Sequence, residues 1–212
     1  MRKHTKSGFS LAEVLLALVI LGVVIRMTII PMINDTRDKH YKESCKKAYT
    51  ELVRISEKVM ESKSITSYTS AFSDSTSIMN SFSSQMKVMK TCTTLAQGNC
   101  WHNSGSWYYL NGTAVTSVDY PAMILIDGTL MRFNLTSAPC NENMTNHTRC
   151  AAITVDINGF KKPNKYGMDI FDISVLEDKL IPLGIPGSTS ANTCSKSSTG
   201  LSCAADYILS TE

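Results

Sequence analysis

The sequence lacks the patterns that mark the common catalytic sites. It has no G-x-S-x-G, no glycine-rich phosphate loop and no H-E-x-x-H, and no pair of carboxylates stands in a recognisable catalytic context. These absences point away from an enzyme. Surplus charge is also missing: 21 Lys and Arg face 18 Asp and Glu, and Arg2, Lys3 and Lys6 account for the whole difference. The chain beyond residue 8 is therefore neutral, with no long basic run to neutralise phosphates, so general nucleic-acid binding is not indicated and only a local basic patch is left open. There is no C-x-x-C among the seven cysteines, and His4, His40, His102 and His147 fall in no metal-binding spacing, which disfavours zinc. Acids are absent from the first eight residues, and no A-x-A cleavage site follows the apolar run near the N-terminus.

What is present begins with that run. MRKHTKSG is hydrophilic and basic, and FSLAEVLLALVILGVVI follows it at once. From Phe9 to Ile33 only Ser10, Glu13, Arg26 and Thr28 are clearly polar, so a helix rising about 1.5 Å per residue could span a hydrocarbon core of about 30 Å. The basic head holds residues 1–8 on the cytoplasmic side and sends everything after Ile33 outward. A secretory signal would place its small-residue cleavage site after the apolar stretch. Here the small residue, Gly8, comes before it, so cutting there removes the leader and keeps the anchor. Glu13 is costly in such a segment unless it finds a partner. Cleavage after Gly8 would supply one, because the freed amine of Phe9 lies four residues before it, and a pairing within or between subunits would fix axial register.

KSGFSLAEVLLALVILGVV resembles the cleavage and assembly segment of type IV prepilins and type II secretion pseudopilins. The resemblance covers about the first 35 residues and implies the rest of the reading. A prepilin peptidase cuts between Gly8 and Phe9 and methylates the Phe9 amine, Glu13 is needed for assembly, and Pro31 is similar to a helix-kinking proline. The expected partners are that peptidase, further copies and other pilin-like subunits, an inner-membrane assembly platform and the membrane itself. The expected domains are a leader at 1–8, a transmembrane and assembly segment at 9–33, and an extracytoplasmic pilin-like domain at 34–212. A bacterial inner-membrane location, followed by a periplasmic or cell-surface filament, goes with them. The alternative is a single-pass anchored binding or adhesin ectodomain that never polymerises; it needs neither Gly8 nor Glu13.

Beyond Pro31, which deletes a helix hydrogen bond, Tyr41, Cys45, Ala48, Leu52, Ile55 and Val59 recur at helical spacing and make one apolar stripe. That stripe predicts a helix packed on a sheet, with Cys45 a buried thiol. A second helix is expected around 74–90. Strands are expected at WYYL (107–110), AMILI and TLMRF around the Asp127-Gly128 turn, AAITVDI (151–157) and IFDISV (170–175). The fold class is therefore α+β, a long N-terminal helix on a C-terminal antiparallel sheet of four or more strands. Six cysteines suggest local extracytoplasmic disulfide loops, Cys92 to Cys100, Cys140 to Cys150 and Cys194 to Cys203, although six allow 15 pairings. The last of these loops is expected chiefly to stabilise, with partner contact as the lesser role.

DINGFKKPNKYGMD, residues 156–169, has two readings. Asp156, Asn158 and Asp169 could belong to a calcium loop, and some pseudopilins carry a calcium site in their C-terminal part. The same residues, with Gly159, Pro163 and Gly167, equally suit a metal-free turn, which is preferred. No other cofactor is expected.

Overall fold

The computed structural model describes residues 10–69, 71–136, 140–144, 147–186 and 194–209. The chain divides into two compact units, Met1–His40 and Tyr41–Glu212. Helix α1 runs Leu11–Lys63 and contributes to both.

In the first unit α1 is the entire described structure after Ser10, and its side chains are exposed wherever they are described. Leu11–Ile29 is apolar and long enough to cross a membrane. An apolar helix whose described side chains are exposed suits lipid or the company of other helices.

The second unit is built on a seven-stranded antiparallel sheet in the order β1-β2-β3-β5-β6-β7, with β4 paired to β5. The strands are β1 Val88–Cys92, β2 Ala122–Leu125, β3 Leu130–Leu135, β4 Glu142–Met144, β5 His147–Asp156, β6 Ile170–Leu176 and β7 Leu180–Pro182. Helices α2 (Ser75–Ser83) and α3 (Cys203–Leu209) complete it. One sheet face receives the α1 stripe. Leu52, Ile55 and Val59 pack with Met131, Phe133 and Ile153 in one core, which α2 joins through Ile78, Met79 and Phe82. Tyr41 and Cys45 are also buried. The opposite face is covered by the long connection between β1 and β2, whose Trp101 and Trp107 lie against Ile124, Leu130 and Ile170. The period-two alternation of strands sorts the residues: Met131 and Phe133 go to the helix side, Leu130 and Arg132 to the other.

The Asp127-Gly128 turn forms as its chemistry dictates. Gly128 adopts φ 90°, its N–H donates to Leu125 O at 3.0 Å, and Asp127 Oδ1 accepts from Thr129 N at 3.0 Å.

Two elements differ from the sequence reading. WYYL is not a strand; Tyr108 makes only isolated bridges, to Ala114 and Lys165. Gly105 and Gly112, both at positive φ, turn the chain on either side, and Trp107 is spent as a plug over the sheet. The second helix stops at Ser83, well short of residue 90. Asp74 caps its start by accepting from Ser77 N, and beyond its end Lys87 O receives Ile126 N as the chain pairs with β2. Pairing the sheet edge outweighs prolonging a serine-rich helix of modest propensity.

Candidate processing and assembly segment

Gly8 and Phe9 lie outside the described residues. Immediately after them, the start of α1 is closed by a reciprocal pair. Glu13 Oε2 accepts from Ser10 N at 2.8 Å and from Ser10 Oγ at 2.9 Å, and Ser10 Oγ accepts from Glu13 N at 3.3 Å. This is a capping box: Ser-x-x-Glu satisfies helix N–H groups that have no partner within the helix. The Glu13 carboxylate thus has donors inside its own chain, four residues after Phe9 in the sequence. The S-x-x-E spacing in FSLAE carried that signal, and sequence reasoning passed over Ser10 by treating Glu13 alone. Farther along, Thr28 Oγ1 donates to Val24 O at 2.8 Å, so a polar side chain in the apolar helix is satisfied internally. The helical assignment continues without interruption through position 31, so Pro31 does not end α1.

The six paired cysteines form three local disulfides, Cys92–Cys100, Cys140–Cys150 and Cys194–Cys203, with Cα separations of 6.1, 4.2 and 4.8 Å. Cys45 is free and buried against Phe171 and Ala204, and burial pushes its thiol up to about 12. At that value the nucleophilic thiolate is scarce at neutral pH.

The 156–169 loop brings Asp156, Asn158 and Asp169 into one turn. Asp156 is fully buried; its Oδ2 lies 2.8 Å from His102 Nε2 and its Oδ1 accepts from Asn158 N at 3.1 Å. Asp169, equally buried, accepts from Asn164 N at 2.8 Å and Lys165 N at 2.7 Å. Every carboxylate oxygen of the pair already has a protein donor. Asn158 Oδ1 and Asn164 Oδ1 are buried without a partner, but they are neutral, and among the described residues no three acidic, Cys or His side chains gather to hold a metal. This donor set fits a hydrogen-bonded turn better than a calcium cage. Burial, the larger effect, raises Asp156 to about 6 against the opposing pull of the His102 bond, and Asp169 adds like-charge repulsion.

Sequence reasoning also missed Arg132. Its guanidinium lies over the rings of Trp107 at 4.9 Å, Trp101 at 5.3 Å and Tyr120 at 5.3 Å, while Nη1 donates to Ser117 Oγ at 2.8 Å. Neither spacing nor motif marks a buried arginine whose partners come from another loop.

With this geometry in place the first residues can be compared with known proteins. Residues 3–25 match the family model described as the prokaryotic N-terminal methylation motif. The chain carries the type IV prepilin and pseudopilin signature. The match covers the junction at Gly8 and Phe9, the Ser10–Glu13 cap and most of the apolar helix. The α+β architecture is consistent with a pilin-like fold, and the apolar helix fits a single-pass membrane anchor. No curated protein and no solved structure matches the chain.

Proposed function

We propose that this protein is the precursor of a filament subunit, a type IV pilin or type II secretion pseudopilin. Prepilin peptidase cuts it between Gly8 and Phe9 and the new Phe9 amine is methylated. Residues 9–33 hold the product in the inner membrane, with 34–212 outside the cytoplasm, until it joins other copies and other pilin-like subunits on an assembly platform. The observation that carries this reading is Glu13, an acid in the first turn of an otherwise apolar helix, inside a matched methylation motif. A simple anchor has no use for an acid there. A helical polymer does, because the carboxylate can leave its Ser10 cap for the Phe9 amine of the same or a neighbouring subunit and so set register.

The test is intact mass and N-terminal sequence of the protein from membranes containing active prepilin peptidase, beside a Gly8→Ala control. Methylated Phe9 at the N-terminus, lost in the control, is the expected result. Retention of Met1 would sink the reading and leave an anchored ectodomain. Glu13→Ala should then be processed yet fail to enter sheared filaments.

A further inference from the structure

The loops at the two ends of the sheet in the second unit differ in charge. At one end, α1 enters the unit and packs Cys45 and Ala48 beside Ile157, where β5 gives way to the 156–169 loop. That loop has no acid between Ile157 and Met168, and its two terminal acids, Asp156 and Asp169, are fully buried. Its tip is Phe160-Lys161-Lys162; Phe160 is 49% exposed and both lysines are exposed, with Lys165 behind them. Among the described residues neither lysine has a carboxylate partner. Lys42 and Lys47 on α1 add to the positive side of this end, offset by Glu43, Glu51, Asp127 and Asp206, so the excess of positive charge is confined to the loop tip. At the opposite end, the β6–β7 turn exposes Glu177 and Asp178 with Lys179.

The tip is held firmly for a surface loop. Asp156 is locked to His102, whose ring meets the Phe160 ring edge-on at 5.3 Å, and Asp169 caps the backbone at Asn164 and Lys165. Gly159 sits so close to the β2–β3 turn that a Cβ there would fall 2.5 Å from Gly128 O. A fixed, half-exposed aromatic flanked by unpaired lysines suits an interface that is apolar on one side and anionic on the other.

We propose that the Phe160–Lys162 tip, backed by Lys165, docks on anionic phospholipid headgroups of the membrane that the chain itself spans. This rests on the anchored reading above. The tip and the apolar helix belong to one chain, so on the anchored reading the tip stays tethered to the membrane. Lipid is therefore always present at high effective concentration. Three lysines on one short loop also suit the headgroup layer better than a nucleic acid, whose binding calls for many phosphate contacts.

The full chain, reconstituted in nanodiscs of phosphatidylcholine alone or with phosphatidylglycerol, is acylated by an amine-reactive reagent, and the rate at each lysine is read by mass spectrometry. In the anionic discs Lys161 and Lys162 should react more slowly by about fivefold, the scale expected for a lysine drawn to such a surface. Molar salt should abolish the difference, because it cuts the screening length to about 3 Å. Lys179 should react alike in both discs. Equal rates at Lys161 and Lys162 in the two lipids would overturn the proposal, as would equal slowing at Lys179. In a Lys161→Glu/Lys162→Glu variant, Lys165 should lose its lipid dependence; unchanged dependence there would also overturn it. Failure of the chain to float with either lipid would instead remove the anchored reading, and the docking proposal with it.

Discussion

Helix α1 handles apolar side chains in two opposite ways. From Leu11 to Ile29 they are exposed to whatever surrounds the chain, whereas from Tyr41 to Val59 one face is buried under a sheet and the other carries Lys, Glu and Arg. The first stretch suits lipid or other helices, and the second is satisfied within its own domain. Helix formation is common to both, so the covering of the helix, more than its formation, separates the exposed stretch from the folding stretch.

The strongest test of that contrast is a pair of truncations. Phe133→Ala, in the core under α1, should lower the unfolding free energy of the second unit by about 3–5 kcal/mol, whereas Leu18→Ala should leave it unchanged. Denaturant unfolding in detergent, followed by the near-ultraviolet signal of Trp101 and Trp107, measures both. A loss at Leu18 equal to that at Phe133 would break the comparison. Next in size, replacing both Cys194 and Cys203 with Ser should cost about 2–4 kcal/mol in the same assay and leave flotation with lipid intact.

A smaller effect concerns pH. Burial raises the Asp156 carboxyl above its value in the unfolded chain, so the folded state holds its proton more tightly, and this group's contribution to stability grows as pH falls from above 6 toward 4. Asp169 and Asp172 are raised by burial too and contribute with the same sign. Between pH 7 and 5 the native chain should therefore gain stability relative to Asp156→Asn. Parallel pH profiles for the two would show that the carboxyl is not governed by its burial. The smallest expected effect is at the cap. Ser10→Ala removes one partner of Glu13 and should cost about 1 kcal/mol of local helix stability. It would be visible as faster amide exchange over the first turn of α1 with no change beyond Tyr41, and Ser10→Thr should restore it.

Legibility in the sequence followed the range of the interactions. The apolar run, the stripe Tyr41 to Val59 and the Asp127-Gly128 turn depend on neighbours within a few residues, so periodicity and turn chemistry exposed them. The fate of WYYL did not, because aromatic residues suit a strand and a plug equally; Trp107 became a plug when Arg132 and Tyr166 came to lie against it. The last turns of the expected second helix were lost for a similar reason, since β1 exists only because β2 offers an edge. At the candidate site, Glu13 stood out as an acid in an apolar field. Ser10, its partner, looked ordinary until the hydrogen bonds joined the two.

By itself the sequence determined the apolar helix and the class of fold, with the processing junction and the anchor as expectations, since charge, apolar length and side-chain period are properties of short stretches. Only the tertiary structure decided that Asp156 faces His102, that Arg132 lies among aromatic rings, and that Phe160 and two lysines project together from one end of the sheet. These depend on contacts between segments far apart in the chain, and burial, which shifts charges and selects partners, exists only once those segments have met.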